Sequence, residues 1–290
     1  MDLMDSIRSG ILERFRAPPH EMVSESGRFI NFMGLRTRVD FFAGGDTHDG
    51  AIFNQVPDPD DGIYGGVGEY SAILSAVEAS KERFTIVELG AGWGPWISAA
   101  GVACRRWGIG DVTLVAVEAV ENKLGMIQDH LWSNGLGHHT IRVLHGAAWD
   151  QPETVQIPSW VAPVDYGAAA GQTGGDYRGH ETPMVDVPGL TLDMICEGLG
   201  IIDFMHWDVQ GAEVRLVQSN LELLDSRVRR LFIGTHSRSI EGRIMDALYG
   251  LGWHLAWEQP CRLRYDSCKP TLEGMTIKDG EQYWINPKLV

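Results

Sequence analysis

The chain has 290 residues, 44% of them hydrophobic and 22% charged, enough to bury the core of a large domain, and no apolar run approaches the roughly 18 residues of a membrane span. Its formal net charge of -15 opposes a phosphate backbone, and the densest basic run, RVRR at 227–230, reads as a solvated helix end, so no nucleic-acid partner is expected. Four scattered cysteines without a C-x-x-C pair, and an amino terminus lacking the apolar stretch of a secretory signal, point to a reduced cytoplasmic chain with neither a disulfide frame nor a zinc knuckle.

Residues 5–16 carry Ile7, Ile11, Leu12 and Phe15 at helical spacing before Pro18 and Pro19, which predicts a short amphipathic helix. Two β-rich runs around Gly34, within 28–42, predict a hairpin. The Gly-, Asp- and Pro-rich stretch 43–68 reads as a long loop, a length that usually carries a task. From residue 70 strand and helix take turns: a helix over 71–79, FTIVEL (84–89), a helix to Trp107, VTLVAVE (112–118), a helix with Leu124, Ile127 and Leu131 at core spacing, and TIRVLH (140–145). After an interruption over 151–190 come IIDFMHWDV (201–209), one helix carrying Val214, Val217, Leu221 and Leu224, LFIGTH (231–236), a helix around 244–251, WHLAWE (253–258) and GEQYWIN (280–286). Such alternation predicts a doubly wound, mostly parallel α/β sheet of the Rossmann-like type. Because no helix separates the last two runs, the final strand is expected to be antiparallel, as in class I methyltransferase sheets. Residues 1–68 form an expected extension, serving as a substrate cap or an oligomer contact. Residues 69–290 form the main domain, with an inserted loop or lid near 158–184.

The sharpest local signal is VELGAGWGPW at 87–96. A buried strand ends at Leu89; Gly90, Gly92 and Gly94 let the backbone turn and approach a ligand, and Pro95 opens a helix. About 30 residues after Glu88 the next strand ends in Glu118, placed where a carboxylate accepts both hydroxyls of a ribose. A dinucleotide site needs G-x-G-x-x-G, whose third glycine would stand at Pro95. The pattern present, with Glu88 upstream to meet an amino group or sulfonium, fits S-adenosylmethionine better. Expected contacts to the turn and acid are Glu88, Gly90, Ala91, Gly92, Trp93, Glu118 and Ala119.

At these residues the chain resembles the FkbM-type methyltransferases, from about Tyr64 to Leu255. The resemblance rests on VELGAGWG, VAVEAVENKL leading into WSNGL, LHGAAWD at 144–150, and LTLDMICEGLGIIDFMHWDVQGAE at 190–213. In the last block Thr191, Leu192, Asp193, Asp208, Val209, Gly211, Ala212 and Glu213 match the family pattern. His206 stands where the family usually has lysine, and Gln210 where it has glutamate. The resemblance implies O-methylation of a sugar, glycolipid or other natural product, with Ala148 and Trp149 beside the adenine.

Transfer to a hydroxyl requires a proton acceptor near neutral pH, which singles out histidine. Strand alternation puts His206 and Asp208 on one side at the carboxyl end of the fourth strand, and His236 ends the neighbouring strand at similar height. These three are the expected catalytic groups. Two histidines and a carboxylate also suit a divalent metal, which ranks below a metal-free base. The rival functions are a nicotinamide-dependent oxidoreductase and a non-catalytic module that binds S-adenosylmethionine.

Overall fold

The computed structural model describes residues 10–159, 183–269, 271 and 273–290. The first half of the expected amino-terminal helix and nearly all of the expected lid, 160–182, lie outside the described residues. Helix α1 (Ile11–Arg14) precedes an antiparallel hairpin of β1 (Arg28–Ile30) and β2 (Arg36–Arg38). The hairpin stops short of residue 42, because Val39–Phe41 coil into a 3-10 turn that buries Phe41. Ile11, Leu12, Phe15, Phe32, Met33 and Leu35 share one apolar cluster with the central sheet, so the extension is continuous with the main core.

Helix α2 (Val67–Ala79) leads into β3 (Arg83–Leu89), α3 (Pro95–Trp107), β4 (Asp111–Glu118), α4 (Glu121–Ser133) and β5 (Thr140–His145). Two short strands, β6 (Ala147–Ala148) and β7 (Thr154–Pro158), pair with β8 (Met184–Leu190) in a small side sheet of order β6-β8-β7. The runs flanking the insertion are therefore paired strands. The chain continues through α5 (Leu192–Ile195), β9 (Phe204–Trp207), α6 (Glu213–Ser219), α7 (Leu221–Arg227), β10 (Arg230–Thr235), α8 (Arg238–Gly250) and β11 (His254–Gln259). A small β12 (Arg262–Leu263) and β13 (Thr276–Lys278) ribbon precedes β14 (Gly280–Ile285). The single helix expected over 214–224 is two helices, since Asn220 leaves the helical region and its side-chain amide donates to the Leu216 carbonyl at 2.9 Å. Asparagine competes in this way for carbonyls that a continuing helix would use.

The central sheet has the order β11-β14-β10-β9-β3-β4-β5, with β14 antiparallel to both neighbours. Alternate side chains of each strand feed opposite cores. Ile86, Leu114, Ala116 and Phe204 pack on one face with α2, α3 and α4, while Val87, Leu89, Val115, Val117 and Met205 pack on the other with α6, α7 and α8. This double burial makes the strands nearly continuous apolar runs. From β3 the chain winds outward to β4 and β5, whereas β9 and β10 lie on the other side of β3. The carboxyl ends of β3 and β9 thus flank a topological switch point, where such sheets hold ligands.

Candidate active site

At this switch point the backbone of the β3–α3 turn touches the end of β9. Gly90 has φ 71°, and a Cβ there would overlap the carbonyl oxygen of Asp208, so the two loops meet only because residue 90 has no side chain. Beside them is a crevice of about 100 Å³ lined by Gly90, Gly92, Glu118, Ala119, Lys123 and Ala148. It adjoins a larger hollow of about 420 Å³ that shares Ala119, Val120 and Ile157. A Cβ on Gly92 would meet nothing within 4 Å, so this wall is bare backbone facing open space. Glu118 accepts from the Gly92 N–H at 2.6 Å and the Val120 N–H at 2.7 Å, one on each oxygen, and a carboxylate retains further lone pairs for a second donor on each. Burial raises its pKa, opposed by the Lys123 ammonium and these amides.

Not every expected contact reaches this crevice. Glu88 is 1% exposed, and its oxygens accept from the Trp96 and Ile97 N–H groups at 3.4 and 2.9 Å. It therefore caps α3 and does not line the crevice. The side chains of Ala91 and Trp93 are buried; Trp93 packs against Phe41, Phe42, Tyr64 and His130. Trp149 turns away to bond Glu153 at 2.7 Å and to lie under the Arg215 guanidinium. Gly90, Gly92, Glu118, Ala119 and Ala148 do line it. Lys123, Val209 and Gln210 line it too. Lys123 was legible only as a polar residue on a helix whose other buried positions are mostly apolar.

On the other side of Asp208 is a second cavity of about 400 Å³. Its wall comes from the 59–66 loop, α2, the ends of β9 and β10, and the carboxyl-terminal strands, and it carries Asp60, Glu69, Asp208, Asp279 and Glu281 against one lysine, Lys278. Burial, with repulsion from neighbouring carboxylates, pushes Glu69 up to about 8 and Glu281 up to about 7. Burial likewise lifts Glu88, deeper in the core, to about 7.

Of the three expected catalytic groups, Asp208 and His236 meet at the second cavity, and His206 stands apart. His206 is 3% exposed, stacked on Phe232 with ring centroids 5.5 Å apart and tilted against Trp96. Its Nε2 lies 3.0 Å from Glu69 Oε1, and burial lowers its pKa. It lines neither cavity, which corrects the expectation that it faces an acceptor. His236 lines the second cavity but has both nitrogens engaged: Nδ1 with Glu213 Oε1 at 2.8 Å and Nε2 with Asp208 Oδ1 at 3.2 Å. Burial works to lower its pKa, but Glu213 and Asp208 outweigh it and hold the ring well above its usual value. Asp208 also feels a burial penalty, which the His236 bond and the charges of His236 and His206 reverse, leaving its carboxyl below the usual range. Asp208 lines both cavities and its side chain is 48% exposed. Among the described residues no group of three His, Cys, Asp or Glu side chains is disposed to hold a metal ion.

No family model matches the chain. It is 27% identical over 267 residues to a protein of Jannaschia sp. (strain CCS1) named "Putative methyltransferase", an alignment covering 87% of this chain and 91% of that one. Among solved structures it is similar to the METTL16 MTase domain, with a TM-score of 0.42 at 12% identity over 76% of this chain and 67% of that chain. It is also similar to precorrin-6y C5,15-methyltransferase from Geobacter metallireducens GS-15, with a TM-score of 0.39 at 12% identity over 74% and 86% of the two chains. These similarities are to methyltransferases. They name no common substrate.

Proposed function

We propose that the chain transfers a methyl group from S-adenosylmethionine to a hydroxyl of a small molecule. The observation that carries this reading is Asp208, which walls both the glycine-lined crevice and the acidic cavity, so a donor in one and an acceptor in the other would meet beside a single carboxylate. The sequence similarity to a methyltransferase along most of both chains supports the reaction class. The motif resemblance to FkbM-type enzymes supports a hydroxyl acceptor.

The donor set of the crevice fits this cofactor. Glu118 would hold the ribose hydroxyls, the bare backbone at Gly90 and Gly92 would lie along the amino-acid portion, and Ala148 would border the base. A nicotinamide dinucleotide fits less well, because its pyrophosphate needs the N-terminal amides of α3, and Glu88 already occupies those of Trp96 and Ile97 with a carboxylate. When bound, S-adenosylmethionine supplies an electrophilic methyl carbon on a cationic sulfur. Asp208 would do the rest at the junction: its Oδ1 takes the Gln210 amide at 2.6 Å and faces His236, leaving Oδ2 to receive the hydroxyl proton while the oxygen takes the methyl carbon and the carbon–sulfur bonding pair leaves with S-adenosylhomocysteine. Holding the hydroxyl in line supplies much of the acceleration. The acceptor cavity carries five acidic side chains, a lining that disfavours phosphate groups and supports a small molecule over nucleic acid. The 59–66 loop of the extension walls that cavity, so the extension serves as a substrate cap.

Calorimetry tests the cofactor. S-adenosylmethionine should bind, and Glu118→Ala should weaken it at least about tenfold, or about 1.4 kcal/mol. Transfer of a labelled methyl group to a panel of hydroxylated compounds tests the reaction. No binding, or tight binding of a nicotinamide cofactor instead, sinks the reading; binding without transfer to any hydroxyl leaves a binding module.

A further inference from the structure

Two carboxylates face one buried imidazole at the rim of the acidic cavity. His236 is 3% exposed and Glu213 not at all; Glu213 Oε1 lies 2.8 Å from Nδ1, and Asp208 Oδ1 lies 3.2 Å from Nε2. A neutral imidazole has a single N–H, so one of these contacts would press a lone pair against a carboxylate oxygen. Only the imidazolium has a hydrogen for each. Glu213 is in turn fixed by the Gly211 N–H, 3.1 Å from both of its oxygens, in the same bend that holds Gln210 at φ 51°. From that bend the Gln210 amide donates to Asp208 Oδ1 at 2.6 Å. A glutamate at 210 would have no hydrogen to give. Oδ1 is thus held from two sides, and Oδ2 takes no hydrogen bond from any described residue.

We propose that Glu213 is a positioning residue: it keeps His236 as an imidazolium, and that cation, with the Gln210 amide, fixes Asp208 Oδ1 so that Oδ2 is presented where the two cavities meet. The kinetic part rests on the methyl-transfer reading; the protonation of His236 does not. The charged groups facing the ring reinforce the arrangement. Asp208 comes from the end of β9 and Glu213 from α6, while Glu69 of α2 and Asp279 and Glu281 of the carboxyl-terminal strands share the cavity. Lys278 is the one opposing cation among the lining residues. Glu273 engages the Ser237 hydroxyl beside the ring. His236 accordingly does not act as the general base, and replacing it removes a clamp.

Nitrogen-15 NMR of the histidine rings in the full chain tests this directly, with His236 assigned by the signal lost in His236→Asn. In the wild type His236 should stay doubly protonated well above neutral pH, and in Glu213→Gln, which removes one of the two facing charges, its titration midpoint should fall. In the same variant kcat should drop about tenfold further at roughly pH 8.5 than at pH 6.5, while cofactor affinity holds within about twofold. Glu213→Asp, which keeps the charge, should restore the protonation of His236 at neutral pH. A His236 that is neutral in the wild type at pH 7 overturns the proposal, and needs no variant to fold. So does a Glu213→Gln kcat that falls by one factor at every pH, the mark of a merely structural role. A doubly protonated His236 in a chain that transfers no methyl group refutes the reaction and leaves the pairing standing.

Discussion

The two cavities beside Asp208 are built on opposite plans. The crevice is centred on the β3–α3 turn and the β4–α4 junction, which supply a glycine turn, one carboxylate held by the Gly92 and Val120 amides, and a buried lysine close enough to offset its charge, with residues 146–148, Ile157 and 208–210 completing the wall. The acidic cavity is assembled from segments that are distant in sequence, and it sets five acidic side chains against Lys278 and His236. The first is electrostatically settled before any ligand arrives. In the second, burial first and neighbouring carboxylates after it raise the pKa values of Glu69 and Glu281. A cleft that gathers several titratable groups with displaced pKa values is a candidate functional site.

The largest effect should come where the two plans touch. Gly90→Ala places a methyl group on the Asp208 carbonyl and also forces alanine to φ 71°, which together should cost more than about 3 kcal/mol and move both cavity walls. Gly92→Ala carries only the conformational penalty at φ 56°, its Cβ meeting open space, and should cost about 1 kcal/mol. Urea unfolding of the two variants separates close approach from backbone strain. Equal losses would mean that the β3–β9 contact does not define the junction.

A smaller change should follow from altering Asp208 chemically while keeping its shape. Asp208→Asn removes the carboxylate that both cavities share and should lower kcat by a factor of about 100, with cofactor affinity within about threefold, as expected of a group engaged mainly in the transition state. Steady-state kinetics and calorimetry on the same preparation check this. Retention of more than about half the wild-type kcat would leave catalysis to positioning alone.

How much of this was legible follows from the same contrast. The doubly wound sheet and its antiparallel last strand are written in local periodicity, because the central parallel strands β3, β4 and β9 are buried on both faces. The crevice was legible in part for a related reason: Gly90, Gly92 and Glu118 lie within one β-α-β unit, so their spacing along the chain fixes their spacing in space. Where the structure places an expected residue away from the crevice, another element engages it. Glu88 looked like a cofactor ligand, but α3 claims it as a cap. His206 shares the strand side of Asp208, yet α2 sends Glu69 across to bind it. His236 looked like a base until Glu213, 23 residues away, took its other nitrogen. Glu69 and Glu281 carried no signal, since their meeting depends on β14 entering the sheet beside β10.

The smallest expected effect tests the burial of Glu69 among the carboxylates of the acidic cavity. Glu69 has a folded-state pKa of about 8 against an ordinary value of 4.5, raised by burial first and by Asp208 and Asp61 after it. A group whose pKa is raised on folding contributes its full stability below the unfolded value, and that contribution is lost as pH rises through the folded value. The sign therefore predicts that the wild type loses stability between roughly pH 5 and 8 through this residue, as the proton that folding favours is withdrawn. Glu69→Gln keeps an oxygen to accept from the Gly66 N–H, 3.3 Å away in the wild type, and an amide to meet His206, but it cannot ionise. It should be nearly neutral at pH 5 and stabilising by about 1 kcal/mol at pH 9, or about 2 °C in Tm. Thermal melts at the two pH values decide the matter. A variant destabilised equally at both would show that the Glu69–His206 bond is simple cement.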